Sequence, residues 1–431
     1  MPQIKPFRGI RYNNNKMKYI TTVVAPPYDV ISKARQNELY RSSPHNIVRI
    51  ELGKIKPSDN KKENRYTRAE REFVSWLESG VMIRDEKESI YLYSQQYKNG
   101  GRTIERPGFI AVMALEDKNG KRRTKVLPHE NTLLAPKLDR LALTRRVRAN
   151  LSPIYVLYDD AGGKISGIMK KARERIKPFM DISFEGIRSR AWRIEDPATI
   201  RKITGSMADK DTFIADGHHR YEVSRMYASE LAAKKAPEEV RRAAGGLMVY
   251  FVASDEKILT VLPAHRLPKD IGKLTKGDIL ERLSKYFHIS KVSGLKAMMS
   301  SLAKYRNAHA FGMYVGGGKF YVMVLKSVKD SDRAISDKPK DWKRLDVSIL
   351  HRFIFGHILD IRDSDDNVEF VKSPEETAGL VDKGEFKVAF FLNPTKVSEI
   401  KRIARLGEKM PRKATYFYPK PISGVVINPL F

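Results

Sequence analysis

Residues 212–231 read TFIADGHHRYEVSRMYASEL, and the change of period inside this stretch decides how the region folds. TFIAD is a short apolar run of strand type ending on Asp216. Beyond Gly217 the apolar positions Val223, Met226, Tyr227 and Leu231 fall at i, i+3, i+4 and i+8, one face of a helix. A strand is therefore expected to meet a helix across Gly217. A glycine there lets a phosphate approach the backbone N–H groups of a helix start, and Arg220, one turn in, offers a planar fork of donors to the same oxygens. The plain alternative is that Gly217 only permits the turn and Arg220 pairs with a carboxylate.

Working outward, the N-terminal side is mixed. VVAPPYDVIS reads as a strand entering a rigid turn, with Ser32 capping a helix that runs to about Tyr40. NIVRIEL near Ile50 alternates like a strand, Glu63 to Glu78 reads as a charged helix, and SIYLYSQQY with GFIAVMALE read as paired strands. KLDRLALTRRVRAN, residues 137–150, is helix-forming, and its arginines Arg140, Arg145, Arg146 and Arg148 read as a solvated face. SPIYVLYDD is a short apolar strand, followed by a helix from about Lys164 to Lys177. Tyr28 and Asp29 follow two prolines, which suits either a binding loop or a simple turn.

The polar stretch AAKKAPEEVRRAAGG suggests a boundary between an N-terminal domain, residues 1–240, and a C-terminal domain, residues 246–431. The second half opens on LMVYFVA and contains AFGMYVGGGKFYVMVLK, two β-rich arms around three glycines, a hairpin pattern. The GGG lacks the Lys-Ser or Lys-Thr ending of a P-loop. Residues 327–343 read as a charged loop and LDVSILHRFIFGHIL as a helix, and after FKVAFFLNP a helix is expected from about Val397, followed by a proline-rich tail. The fold class expected is α+β, mixed α/β in both halves.

Composition sets limits on the chemistry. The chain of 431 residues has no cysteine, which excludes a thiolate nucleophile, a thiol redox cycle and a thiolate metal site. Lys and Arg number 81 against 51 Asp and Glu, a net charge of +30 that attracts nucleic acid or anionic metabolites. The basic residues are spread along the chain rather than gathered in a stripe, so nucleic acid is the less favoured partner. No apolar run approaches the ~18 residues of a membrane span, and the first residues lack an apolar signal core, so a cytoplasmic location is expected.

KPFRGIRYN, APPYDVIS, LPHENT, KLDRLAL, NLSPIYVLYDD, IADGHHRYE, LPAHRL, LDVSILH, FVKSPEE, FFLNPTKV and MPRKATYFYPKPISG, in this order, resemble the family numbered 1015 among the domains of unknown function. A shorter resemblance joins DGHHRYEV to the Gly-x-x-Arg phosphate motif of ParB proteins, sulfiredoxins and archaeal free-serine kinases. It implies a ParB/sulfiredoxin-like strand-turn-helix module in the first half. Val223 stands where the ParB motif usually has alanine, and sulfiredoxin activity is excluded for want of a cysteine. What the resemblance leaves is a nucleotide-dependent phosphotransferase acting on a small metabolite, free serine by analogy, or a nucleotide hydrolase. The competing class is a nucleic-acid-binding or regulatory protein with a ligand-sensing motif.

On the first of these readings Gly217, His219 and Arg220, with His129, would bind the phosphates of ATP or ADP, while Asp216, His218 and Glu130 would act in catalysis. Asp216 and Glu130 are also candidates to hold Mg2+. Adjacent histidines at a helix start diverge by about 100°, so His218 and His219 do not suit one metal ion. His129 and Glu130, in LPHENT after a basic strand, pair a base with a carboxylate but equally suit a capped turn. Asp216 equally suits a helix cap. The second half would close the cleft or form a homodimer.

Overall fold

The computed structural model describes residues 3–115, 126–364 and 366–431. Packing divides the chain into two compact units: the first is Met1–Pro128, Thr132–Thr260 and Pro419–Phe431, the second His129–Asn131 and Val261–Tyr418. Both are mixed α/β. Among the described residues no helix is long and apolar enough to cross a membrane.

The first unit is built on a nine-stranded sheet. Its strands are β1 (Ile4–Lys5), β2 (Ile90–Asn99), β3 (Arg102–Ala114), β4 (Val126–Leu127), β5 (Ile154–Tyr158), β6 (Met180–Phe184), β7 (Ile187–Ile194), β8 (Thr212–Asp216) and β9 (Gly246–Ala253). Their order is β4-β8-β5-β9-β3-β2-β7-β6, with β1 also on β3. The pairs β4/β8 and β5/β9 are parallel and the remainder antiparallel. The central strands β5 and β9 are buried along their whole length, which is why their sequences are continuous apolar runs rather than alternating ones. The polar stretch at 236–246 differs from the place where packing divides the chain. β9 follows that stretch yet lies between β5 and β3, so the first unit extends to Thr260.

Around the sheet lie α1 (Lys33–Ser42), α2 (Arg65–Glu78), α3 (Leu134–Val147), α4 (Lys164–Arg173), α5 (Pro197–Met207) and α6 (His218–Ala233). Ser32 caps α1 by accepting from Arg35 N at 3.2 Å, and Asn64 begins α2 with a reciprocal capping box. Ile165 and Met169 of α4 and Ile200 and Ile203 of α5 pack with Ile154, Val156, Phe109 and Phe251 in one buried cluster. Each such side chain contributes roughly 1.5–3 kcal/mol when fully removed from water. Val223 and Tyr227 of α6 pack with Leu141 of α3 and with Leu430. NIVRIEL is not a strand: Val48–Glu51 is a helical turn, started by Asn46 Oδ1 accepting from Val48 N at 2.9 Å, with Val48 and Ile50 fully buried.

In the second unit a six-stranded sheet is antiparallel throughout. Its strands are β10 (His265–Pro268), β11 (Phe287–Val292), β12 (Ala310–Tyr314), β13 (Phe320–Leu325), β14 (Val368–Val371) and β15 (Ala389–Phe391), in the order β11-β13-β12-β15-β10-β14. The β12–β13 hairpin turns through Gly316, Gly317 and Gly318, all with positive φ (79°, 61° and 69°), a conformation that explains the glycine run. Residues 327–343 are not a loop, for they form helical segments at Val328–Ala334 and Lys340–Lys343. Ile349–Leu359 is helical as its pattern predicts, but wound as a π-helix. Beneath it Arg266 is fully buried, its Nε 3.1 Å from His351 Nε2, and it donates to the carbonyls of Ala264, Arg412 and Lys413. His351 Nδ1 lies 2.8 Å from Asp363. Beside Arg266, His265 is fully buried and accepts from Leu392 N at 3.3 Å.

Candidate functional site

The junction expected from sequence is present in the first unit. β8 ends at Asp216, Gly217 is the N-cap residue of α6 with φ 94°, and the helix starts at His218. The register of β8 against β5 shifts between Ile214 and Asp216, an irregularity of the kind that re-aims a side chain at the end of a strand. A Cβ on Gly217 would lie 2.8 Å from Ile154 Cγ2 and 3.1 Å from both Nε and Nη2 of Arg220. The glycine therefore serves two ends, a left-handed turn and room for the guanidinium.

Arg220 curls back over that turn. Its Nη2 donates to Asp216 Oδ2 at 2.7 Å, and its Nη1 donates to Ser152 Oγ at 3.0 Å and to the Pro153 carbonyl at 2.6 Å. The other Asp216 oxygen accepts from Lys420, which also donates to Asp29 Oδ2 at 2.6 Å. Burial works against the charges of Arg220 and Lys420, but Asp216 and then Asp29 outweigh it and hold both cations above their ordinary pKa values. Burial would likewise raise Asp29; Lys420 and then Arg220 overcome it and hold that carboxyl below its ordinary 3.8.

A carboxyl depressed in the folded state contributes stability above its ordinary pKa and loses it as the pH falls through the folded value. The Asp29 side chain is 39% exposed, so solvent screens its pairing. Asp29→Asn is therefore expected to be less stable by under about 1 kcal/mol at pH 7 and to show a smaller deficit at an acid pH well below the ordinary 3.8. Urea unfolding at the two pH values checks this, and a deficit of equal size at both would contradict it.

Next to the junction lies a cavity of about 50 Å³, lined by residues that include Tyr28, Glu51, Arg140, Asn150, Ser152 and Arg220. One water needs roughly 10–15 Å³ of such space, so there is room for a few waters or one phosphate-sized group. Among the described residues, two buried polar atoms on residues lining this cavity have no hydrogen-bond partner, Arg220 Nε and Glu51 Oε2. Glu51 is held by its other oxygen, which accepts from Ser152 Oγ at 2.5 Å. Arg140 is not on a solvated face as its helix pattern suggests. It is buried, donates to the Glu51 carbonyl at 2.6 Å and to Asp139, and lies 4.2 Å from the centre of the Tyr28 ring.

The tail reaches this site through backbone contacts. Arg106, fully buried and 4.7 Å from the Tyr155 ring centre, donates to Gln95 and to the Pro419 carbonyl, and Gln95 Nε2 donates to the Lys420 carbonyl at 3.1 Å. Further on, Ile427 exchanges backbone hydrogen bonds with Ile10, and Asn428 Nδ2 donates to Asn150 Oδ1 at 2.9 Å. Lys420, Glu51 and Ser152 were absent from the sequence-based candidates. Asp29 was open there between a binding loop and a turn.

The remaining candidates divide between the units. His218 is buried as the first residue of α6, and His219 Nε2 accepts from Leu133 N at 3.0 Å. His129 and Glu130 belong to the second unit. His129 is fully buried with Nε2 3.1 Å from Thr415 Oγ1, which also donates to Glu130 Oε1 at 3.2 Å. The basic stretch preceding them, residues 121–125, lies outside the described residues. Among the described residues no group of three or more His, Asp or Glu is gathered to hold a metal. The donor set does not fit a magnesium ion at Asp216, because both of its oxygens already accept from cations.

No curated protein matches the chain. Among solved structures, a conserved hypothetical protein from Pyrococcus furiosus is 15% identical at a TM-score of 0.33, the match covering 70% of this chain and 90% of that one. A free serine kinase in complex with AMP is 14% identical at 0.32, covering 68% and 83%. SbnI with a C-terminal truncation, from Staphylococcus aureus, is 12% identical at 0.30, covering 69% and 82%. The family described as Protein of unknown function (DUF1015) matches residues 4–348, most of the length, and the chain belongs to that family.

Proposed function

We propose that the cavity beside Gly217 binds the phosphate group of a nucleotide and that the protein transfers a phosphoryl group to a hydroxyl-bearing small metabolite. The supporting observation is that two residues lining this cavity each carry a buried atom without a hydrogen-bond partner among the described residues: a donor, Arg220 Nε, and an acceptor, Glu51 Oε2. Buried polar atoms are nearly always satisfied, so two in one small space call for a ligand that both accepts and donates. A phosphate oxygen would take the Arg220 hydrogen bond, and the acceptor's hydroxyl would pass its proton to Glu51 as its oxygen bonds the terminal phosphorus and the bond from that phosphorus to the rest of the nucleotide breaks, the shortened nucleotide leaving with the bonding electrons. The cavity suits the phosphate and not the nucleoside, which would stay outside it.

Arg220→Ala is expected to weaken binding of ATP, ADP or inorganic phosphate by roughly ten- to a hundredfold, the loss of about 1.5–3 kcal/mol for a hydrogen bond to a charged group. Arg145 does have a partner, Glu230 at 2.8 Å, but the pair is on the surface with Arg145 half exposed. Arg145→Ala should therefore change binding little and stability by under about 0.5 kcal/mol. Calorimetric titration of both variants, with melting curves alongside, decides the matter. Unchanged affinity in Arg220→Ala would remove the proposal, and Arg220→Lys serves as the control if the alanine variant unfolds. Free serine is the first acceptor to assay, by the resemblance of the Asp-Gly-His-His-Arg run. The net charge of +30 keeps a nucleic-acid reading in play, and that reading requires binding that falls steeply with salt.

A further inference from the structure

The first unit has a second and much larger concavity, about 800 Å³, that shares no lining residue with the Arg220 cavity. It is lined from α4 and the segment after it, from the end of β7, from the start of α5 and by Arg11. Its floor includes Ile168, Ile176 and Phe179, and four of its rim cations are Lys171, Arg175, Lys177 and Lys202.

What distinguishes these four is the absence of local neutralisation. Arg11 and Arg193, also in the lining, both pair with Asp85, at 3.0 and 2.5 Å. The two acids in the lining are likewise committed: Glu195 pairs with Arg193 at 2.7 Å, and Asp196 caps α5 by accepting from Thr199 N at 2.8 Å. Among the described residues Lys171, Arg175, Lys177 and Lys202 have no carboxylate partner, and all four are exposed. Four free cations around an apolar floor carry a field that concentrates polyanions, while the floor rewards a flat apolar group.

We infer that this groove binds an organic polyphosphate of nucleotide size, its phosphates on the four cations and its ring system on the floor of Ile168, Ile176 and Phe179. The volume suits one nucleotide rather than an extended strand. The inference does not rest on the function proposed for the Arg220 cavity.

The test is calorimetric titration of ATP, adenosine, inorganic tripolyphosphate and a single-stranded 12-residue oligonucleotide into the parent protein, into Lys171→Glu/Arg175→Glu and into Arg220→Lys. Reversing two exposed rim charges leaves the core untouched, and melting curves confirm the fold. The expected result is a distinct ATP-binding step that tripolyphosphate matches only weakly and that falls at least about a hundredfold in the double variant, while Arg220→Lys weakens only the separate step assigned to the Arg220 cavity. ATP affinity unchanged in the double variant, or no ATP binding at all, would overturn the inference. So would tripolyphosphate binding as tightly as ATP, since the floor would then contribute nothing, or an oligonucleotide binding far more tightly than ATP, which would make the groove a nucleic-acid track. Loss confined to Arg220→Lys would support the Arg220 cavity and overturn the groove.

Discussion

Gly217→Ala is expected to lower the stability of the first unit by about 2–5 kcal/mol, the sum of two independent costs. A φ of 94° lies in the left-handed region, which disfavours any Cβ by roughly 1–2 kcal/mol. The new methyl would also stand 2.8 Å from Ile154 Cγ2, inside a fully buried strand with no slack, where overpacking typically costs about 1–3 kcal/mol. Urea unfolding followed by Trp76 and Trp192, both in the first unit, measures the loss; Trp342→Phe removes the signal of the second. The same methyl presses on the guanidinium at 3.1 Å, so phosphate affinity should fall together with stability. A variant as stable as the parent would mean that the turn relaxes freely and that Gly217 is not what shapes the site.

The second large effect belongs to His265. Burial first, and the neighbouring Arg266 charge second, push its pKa down to about 3, so the ring is neutral in the folded protein. Its ordinary value is 6.5, and the unfolded chain therefore takes up a proton that the folded chain refuses. The sign is fixed: stability of the second unit is full above pH 6.5 and drains as the pH falls from 6.5 toward 3. At about 1.4 kcal/mol for each pH unit separating the folded and unfolded values, the upper bound is roughly 5 kcal/mol, and relaxation of the buried site makes about 2–4 kcal/mol a better expectation. His265→Gln, which keeps an acceptor for Leu392 N, should flatten that dependence. Trp342 fluorescence in a protein lacking Trp76 and Trp192 reports it, and an acid profile unchanged by the substitution would place the sensitivity elsewhere.

The strand-turn-helix at Gly217 was legible because its evidence is local: an apolar strand run gives way to a period of 3.6 across a single residue. The β12–β13 hairpin was legible for the same reason, three glycines between two β-rich arms. Glu51 was misread because IVRIE alternates by chance, and the Asn46 side chain that turns it into a helix is a short-range competitor that periodicity does not count. Arg140 looks like its neighbours Arg145 and Arg146 in sequence; only the packing of Tyr28 and the Glu51 carbonyl against it separates a buried arginine from two exposed ones. Lys420 had no local signal at all. Its partners Asp216 and Asp29 lie about two hundred and four hundred residues earlier, and no spacing rule reaches that far.

That long reach has a bearing on how the protein comes into being on the ribosome. Residues 419–431 are synthesised after the whole of the second unit, yet they deliver Lys420 to Asp216 and a backbone rung to Ile10. A nascent chain halted anywhere before Lys420 holds Asp29 without its ammonium partner and leaves Asp216 paired with Arg220 but not with the lysine. Completion of this charge network is thereby tied to translation through residue 420: a shorter product, however well its sheet has formed, lacks the lysine that closes it.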